Sequence, residues 1–540
     1  MEKSDLGLPL QSRIASLVHA HFDGLPSRSK PTVRPDGTKE WIPMSGIVIV
    51  KGENTSSEKL TCVAVTSGAK CLSASQVPNG KGLVLHDWHA EILALRAFNY
   101  WLLCECRSVL ANERHQGHSD EITGPSTSST TSPYLRRRQQ NPPEQLSSPQ
   151  PPFELHPDIT IYMYCTCAPC GDASMELCMA AQDDPTPWEI NNPSNKDLNP
   201  ASDSNDDTQE QEQEPTLLDG RAHFSRLGIV RRKPARADAD ATLSKSCSDK
   251  LALRQISSLL SFETSLLVAP TESAYLAGVI LPEKEISHVG CQRAFSDQGR
   301  LKDLTGRFWP LDGGGEGDEE PNPERSGYRF RPFQVLSIPD EQYDSLWEFG
   351  KTQARPISSD EVEVEVQEKR KPGIISAIWT TAPSAPIPSP GAPAAVDASV
   401  KSLPVLRGSK TGLYENIING VKQGNKASAP LARGASALSR AKLWGVWREI
   451  VRVSYPEPAN EEVNASEQKG KLEELLVPTG IVEAATYREF KKTPAAETVA
   501  IMARRSAIQE AKRVLGGWIS NVDDAGWGLD VLVDPKKRKR

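Results

Sequence analysis

The chain of 540 residues is short of apolar and aromatic side chains, which make up only 38% and 6% of it. A compact domain carries roughly 45–50% apolar residues, so part of this chain is not expected to pack. Long apolar runs are missing too. No window approaches the ~18 consecutive apolar residues of a spanning helix, which excludes a helical membrane protein. The opening MEKSDLGLPL lacks the apolar core of a secretory signal. This predicts an intracellular protein, in nucleus or cytoplasm, with reduced thiols. The 10 Cys form no regularly spaced disulfide framework, so they read as core residues, metal ligands or nucleophiles. No internal repeat is visible. Positive charge is also in deficit, with 63 Lys+Arg against 70 Asp+Glu and a net of −7. Taken alone, that balance argues against a nucleic-acid partner.

What is abundant lies in patches. Four stretches are rich in Ser, Thr, Pro, Gly or acidic residues: 112–157, 183–240, 310–327 and 381–398. Each has too few large apolar side chains to offset its ordering entropy, which predicts disordered insertions. Residues 183–219 hold eleven acidic side chains and one Lys, a net of −10, so the remainder of the chain is +3. Residues 401–456 hold ten Lys/Arg against two Glu. The tail at 531–540 ends in KKRKR, which reads as a nuclear import signal or an RNA-contacting segment.

Between the insertions the pattern is that of one interrupted α/β domain over 41–530, preceded by a helical segment at 1–40. Gly46–Lys51 and Leu60–Thr66 are β-rich runs around a polar turn, as in a hairpin. Residues 89–106 carry apolar side chains at helical spacing, with Asp87 where an N-cap would sit. Ile159–Cys165 and Tyr275–Leu281 read as strands, and Gly171–Ala181 as a helix. Thr498–Val514 reads as a helix ended by Gly516-Gly517. Trp444 and Trp447, within the basic stretch, are read as core packing rather than base-stacking residues.

Two motifs carry chemistry. His89-Ala90-Glu91 opens the first long helix, and Pro169-Cys170-Gly171 stands between a strand and a helix. H-x-E followed by P-C is the signature of zinc-dependent nucleobase deaminases. Zn²⁺ needs three protein ligands and one open position for water, whose pKa it lowers toward neutrality. Glu91, two residues beyond His89, would move the proton without binding the metal. Cys170 at a helix N-terminus is placed to be a thiolate. In the common pattern a second cysteine follows the first by three residues, but that position is Ala173 here. Cys167, Cys165, Cys178 and the distant Cys247 are the alternatives for a third ligand.

The series H-A-E, P-C-G-D-A (Pro169–Ala173) and S-C-S-D-K-L-A (Ser246–Ala252) resembles the adenosine deaminases acting on RNA. The flank VAVTSGAKC (Val63–Cys71) is similar, as are SAIWTT, RGSKTG, ALSRAKLW, TYREFK and LGGW in the C-terminal half. The resemblance implies a cytidine-deaminase-like mixed sheet flanked by helices, a helical C-terminal half and hydrolysis of adenosine to inosine. It implies one zinc per chain on His89, Cys170 and Cys247, with Glu91 as the proton shuttle. It also implies a structural inositol hexakisphosphate, with matching positions at Arg96, Lys250, Arg254, Arg440, Tyr487, Lys491 and Trp518. Lys70 is the implied contact near the target's sugar–phosphate. Two positions depart from the family: Leu95-Arg96 replaces Arg-Arg, and His86 stands where Asn is usual. Only about 40 residues precede the first strand, too few for a double-stranded-RNA-binding module. The tRNA branch is therefore expected, acting at the adenosine 3′-adjacent to the anticodon (position 37) of alanine tRNA. No membrane and no obligate protein partner are expected. A non-catalytic RNA-binding subunit, a deaminase editing other RNA, and a small-nucleoside deaminase are the competing readings.

Overall fold

The strand-rich runs assemble into one eight-stranded mixed sheet. In chain order its strands are β1 (Met44–Lys51), β2 (Lys59–Ser67), β3 (Ile159–Cys165), β4 (Leu276–Pro282), β5 (Gln334–Ile338), β6 (Ser376–Thr380), β7 (Tyr414–Ile418) and β8 (Val421–Lys422). Their order across the sheet is β5-β4-β3-β1-β2-β6-β7-β8. The pairs β5/β4 and β4/β3 are parallel, and all others antiparallel. The computed structural model describes residues 7–123, 132–138, 150–181, 218–219, 226–233, 240–311, 326–351, 370–384, 412–454, 479–492, 498–518 and 524–533.

Both faces of the central strands are covered, so β1 and β2 read as near-continuous apolar runs. Alternation along β1, and a bulge in β2 opposite Ile47 and Val48, then sort the side chains between two cores. Ile47, Ile49 and Val63 face the larger core, shared with helix α2 (Ala90–Thr123). Val48, Val50, Cys62 and Val65 face the smaller one, under helix α1 (Leu10–Asp23). The expected N-terminal helical segment is thus α1, which buries Ile14, Ala15, Val18 and Phe22 on one stripe. Gly46 permits that contact, because a Cβ there would lie 2.5 Å from Val18 Cγ1.

The larger core continues into the C-terminal half. Helices α3 (Met175–Ala180), α4 (Cys247–Ser257), α5 (His288–Phe295) and α6 (Asp340–Leu346) flank the sheet. Helices α7 (Arg440–Ser454), α8 (Tyr487–Lys492) and α9 (Val499–Leu515) then follow. Trp444 and Trp447 are fully buried there among Tyr487, Phe490 and Trp527, as expected of core residues. Thr498 caps α9 by accepting from the Ile501 amide, and Gly516 ends it at φ +63°. No helix among the described residues is long and apolar enough to cross a membrane.

Ordered structure reaches into the expected insertions. Within 112–157, α2 runs on to Thr123, and Leu135–Arg137 pairs with Phe153–Leu155 over the buried Trp101. Tyr134, Leu135 and Phe153 supply the apolar anchor that the composition of the whole stretch conceals. Within 183–240, residues 226–233 are ordered, and Arg231 and Lys233 are buried. The edges of the other two, at 310–311, 326–327 and 381–384, are also ordered. The remaining parts of these stretches, residues 407–411 of RGSKTG and the KKRKR tail lie outside the described residues.

Candidate active site

The chemistry-bearing loops emerge at one end of the sheet. Ser45 on β1 pairs with Cys165 at the end of β3 and with Thr66 near the end of β2. Thr66 Oγ1 donates to the Ala90 carbonyl at 2.7 Å, and the Ala90 amide donates to Gly68 O at 2.9 Å. These bonds fix the first turn of α2, and with it His89 and Glu91, against the strand end.

Asp87 organises His89. It is not merely the N-cap read from the sequence, since the helix begins only at Ala90. Its Oδ1 accepts from the His89 amide at 3.0 Å and lies 2.9 Å from His89 Nδ1. The contact with Asp87 occupies Nδ1 and leaves Nε2 as the nitrogen that could face a metal. The other oxygen, Oδ2, accepts from Lys233 Nζ at 2.9 Å and Ser244 Oγ at 2.7 Å, and pairs closely with Lys250. Burial alone would raise the Asp87 carboxyl, but the charges of Lys233 and Lys250 hold it well below the usual carboxylate range. Burial and Lys233 push His89 down, yet Cys71 and Asp87 outweigh them and carry it to about 10.

The two cysteine loops are stitched together. The Cys247 amide lies 3.4 Å from Cys170 Sγ, and the Ser248 amide donates to Cys170 O at 3.0 Å. Ser248 Oγ donates to Pro169 O at 3.1 Å and accepts from the Ala173 amide at 3.1 Å. Gly171 lies at φ +107°, and a Cβ there would come within 2.3 Å of Ser246 Oγ, so only glycine allows this approach. Beneath Cys247, Asp249 accepts from Ser246 Oγ and pairs with the buried Arg300 at 2.6 Å.

Cys170 does not sit directly on a helix N-terminus as its flanking sequence suggests. A short 3₁₀ turn, Asp172–Ser174, precedes α3, and it is Cys247 that opens a helix, α4. The Cys170 thiol is nonetheless held well below its ordinary value, chiefly by a hydrogen bond from Cys247, against burial and with help from Lys233 and His89. Lys233 Nζ is 3.2 Å from Cys247 Sγ. Burial and the neighbouring Cys170 push the Cys247 thiol up, and the rival cysteines are raised too. Burial pushes the Cys165 thiol far up, and it accepts from Ser45 Oγ at 3.2 Å. Burial and then Glu285 push Cys167 up as well.

Glu91 is buried beside this group, and its Oε2 has no hydrogen-bond partner among the described residues. Burial and then the negative charge of Cys170 raise its pKa, while His89 and Lys233 pull it down. Among the described residues, donor atoms of Cys71, Asp87 and His89 lie within 4.8 Å of one another. Both Asp87 oxygens in that set are already engaged by the His89 N–H groups and two ammonium groups. Lys70, next to Cys71, is half-buried in the same loop, its carbonyl accepting from the Trp88 amide.

The seven residues expected around a polyphosphate do not all meet. Arg96, Arg254, Arg440 and Lys491 crowd one interior region together with Arg504. Burial and mutual repulsion lower Arg96, bring Arg254 to about 10 and bring Lys491 to about 8. Tyr487 OH donates to the buried Glu263 at 2.9 Å, and Lys491 Nζ lies 5.0 Å above the Phe262 ring. Arg440 also meets His86 Nε2 at 2.9 Å and pairs with Asp524. Lys250 instead faces Asp87 and Ser244, on the His89 side. Trp518 lies one step out, beneath Lys512, whose ammonium is 5.5 Å from its ring.

Sequence reasoning missed Lys233 and the second role of Asp87. Lys233 was hidden inside a stretch judged disordered by average composition. The short apolar run Leu227-Gly-Ile-Val230 before Arg231-Arg232-Lys233 was the available signal.

Comparison with known proteins agrees with this arrangement. The adenosine-deaminase (editase) domain model matches residues 64–307. Over 331 residues, 61% of this chain and 68% of the relative, the sequence is 35% identical to tRNA-specific adenosine deaminase 1 of Schizosaccharomyces pombe. Identity to the Saccharomyces cerevisiae protein of the same name is 30% over 279 residues, covering 51% of this chain and 59% of that one. A double-stranded RNA-specific editase B2 of Mus musculus is 28% identical over 130 residues, 24% of this chain and 14% of the editase. With 35% identity across two thirds of the fission-yeast protein, the chain belongs to the adenosine-deaminase (editase) domain family of enzymes, alongside tRNA-specific adenosine deaminase 1.

Proposed function

We propose that this chain hydrolyses adenosine to inosine in tRNA, at the adenosine 3′-adjacent to the anticodon (position 37) of alanine tRNA, in a zinc-dependent reaction. The observation that carries the reading is Glu91: a buried carboxyl with an unpartnered oxygen, beside His89, Cys170 and Cys247.

The donor set fits zinc. His89 can turn Nε2 to the ion because Asp87 engages Nδ1, binding displacing the second proton that its raised pKa keeps on the metal-free ring, and Cys170 is held toward the thiolate. Cys247, 3.2 Å from the Lys233 ammonium, would complete three ligands. The alternative set with Cys71 fits less well, because Asp87 is committed to Lys233 and Lys250. When bound, the ion supplies a water acidic enough near neutral pH to attack C6 of the base. Glu91 takes one proton of that water and delivers it to N1 of the ring. A second proton passes through the same carboxyl to the exocyclic nitrogen. Adenosine and water thus become inosine and ammonia. Its raised pKa suits Glu91 to hold a proton between these transfers. An unpaired loop base suits a buried carboxyl, since it reaches the site at the lowest unstacking cost.

A structural inositol hexakisphosphate is part of the proposal. Arg96, Arg254, Arg440, Lys491 and Arg504 are an excess of half-buried positive charge over Glu263 and Asp524. A polyanion would relieve their mutual repulsion. Arg96, Arg254, Arg440, Lys491 and Tyr487 would hold it, with Trp518 at the margin and Lys250 reaching it only from the Asp87 side. The decisive experiment incubates purified protein with transcribed alanine tRNA and sequences for inosine. Inosine at the position 3′ to the anticodon supports the reading; its absence from protein carrying one zinc per chain overturns it.

A further inference from the structure

The catalytic end of the sheet carries a basic rim that the reaction itself does not use. The segments leading into β1 and β6 pair as a small parallel ribbon, Glu40–Trp41 with Lys371–Pro372. The Lys371 amide donates to Lys39 O at 3.0 Å and the Gly373 amide to Trp41 O at 2.7 Å. Because β1 and β6 both begin at the end where β2 and β3 finish, the ribbon stands beside the loops bearing His89 and Cys170. The Gly68 amide, donating to Pro43 O at 3.1 Å, ties it to the Lys70–Cys71 loop.

Six cations gather on this rim: Arg34, Lys39, Lys70, Lys351, Arg370 and Lys371. Four carboxylates, Asp36, Glu40, Glu285 and Glu348, accompany them, Glu285 lying within reach of the Lys351 charge. Arg34 is spread across Glu40 at 3.0 Å and lies near enough to Lys70 to help burial lower its pKa. Lys351 Nζ stands 4.5 Å above the Trp41 ring, and its charge also reaches Cys167, near the Cys170 loop. Lys371 is 45% exposed, and its only close carboxylate among the described residues, Asp36 at 3.3 Å, is itself exposed. Such a pair is worth little and exchanges readily for a phosphate.

We propose that the Lys39–Trp41/Lys371 ribbon, with Arg34 and Lys351, extends the contact expected of Lys70 and binds the phosphodiester backbone of the tRNA flanking the target nucleotide. This rests on the tRNA reading above. A base delivered to the buried Glu91 must come from a strand that crosses the mouth of the site, and phosphates there meet a net positive surface. Backbone contacts of this kind position RNA without reading its sequence.

The test uses the full chain with Lys39, Lys351 and Lys371 all changed to Glu, and a control variant, Arg136→Glu. Arg136 sits on the Leu135–Arg137 strand at the opposite end of the sheet, where Lys51 Nζ donates to Pro133 O. Transcribed alanine tRNA is titrated by fluorescence anisotropy from low to high KCl, and inosine formation is followed alongside. The expected result is about tenfold or greater loss of affinity at low salt, with the slope of log Kd on log salt reduced by roughly one per lost contact. KM rises while kcat at saturating tRNA is held, and the difference from wild type closes at high salt. A defect that persists at high salt, or loss of bound zinc, marks damage to the fold and overturns the proposal. So does an affinity and salt slope equal to wild type, or an equal loss in Arg136→Glu. If wild type makes no inosine but the triple variant alone loses RNA affinity, the functional reading fails and the rim stands.

Discussion

Glu91 combines two costs that a purely structural residue would not carry: burial of an acid and an oxygen without a partner among the described residues. Glu91→Gln keeps the shape but cannot move a proton. It is expected to lower kcat by roughly 10²–10⁴-fold while zinc content by mass spectrometry stays at wild type. Cys247→Ser is expected to lose zinc, whereas Cys167→Ser keeps it, because it is Cys247 that meets Cys170 and the Lys233 ammonium. Equal zinc loss in both would remove Cys247 from its role. His19 gives a separate residue-scale prediction. It is buried under α1, 2.9 Å from Tyr164 OH, and burial lowers its pKa from 6.5 to about 4. Between pH 6.5 and 4 the unfolded chain binds a proton that the folded chain does not, so stability falls as pH falls through that window. Replacing His19 with Gln should flatten this part of the stability profile in urea melts; an unchanged slope would assign it to other groups.

At the scale of elements, close approach sets the requirements. Helix α1 seats Val18 directly over Gly46 on β1. Gly46→Ala forces the helix away and should cost about 1–3 kcal/mol, the usual range for overpacking. Pairing it with Val18→Ala should recover much of the loss in denaturant melts. The basic interior between α2, α4, α8 and α9 makes the opposite kind of demand. Lys491 is lowered to about 8 by burial and by Arg504, Arg440 and Arg254, against the pull of Glu263. In protein stripped of any polyanion, the folded chain releases this proton first. Stability therefore rises with pH between about 8 and the ordinary lysine value of 10.5. Refolding with inositol hexakisphosphate should raise the melting temperature and abolish that rise. Thermal scans across pH 7.5–10 that never respond to the polyanion would remove it from the fold.

At the scale of the molecule, one core runs from the sheet through α2 into α7, α8 and α9. The Leu85 amide donates to Gly420 O at 2.9 Å, and the Ala441 amide to Gly82 O at 3.0 Å, so the loop before His89 is braced by the C-terminal half. A fragment of residues 41–312, which contains the whole span matched by the editase model, lacks that brace. It should lack a cooperative unfolding transition and bind dyes that report exposed apolar surface, although it holds every proposed zinc ligand. A fragment that melts cooperatively would show the two halves to be independent.

Much of the sheet was legible because its signals are local. Short β-rich apolar runs mark β1–β4, the 3.6-residue stripe marks α2, and Thr498 with Gly516 brackets α9. His89, Glu91, Cys170 and Cys247 were legible as motifs, since their spacing within each loop is set by local chain geometry. Tertiary structure alone decided what depends on segments far apart in sequence. It brought Lys233, out of a stretch that averages as acidic and unfoldable, to Asp87 and Cys247. It turned Lys250 toward Asp87 rather than toward Arg254, and set the Lys39 and Lys371 segments side by side at the catalytic end. Composition averages over a window, whereas burial selects individual side chains. A deficit of apolar residues therefore characterises these stretches as wholes, and does not reveal which charged residues within them the fold would enclose.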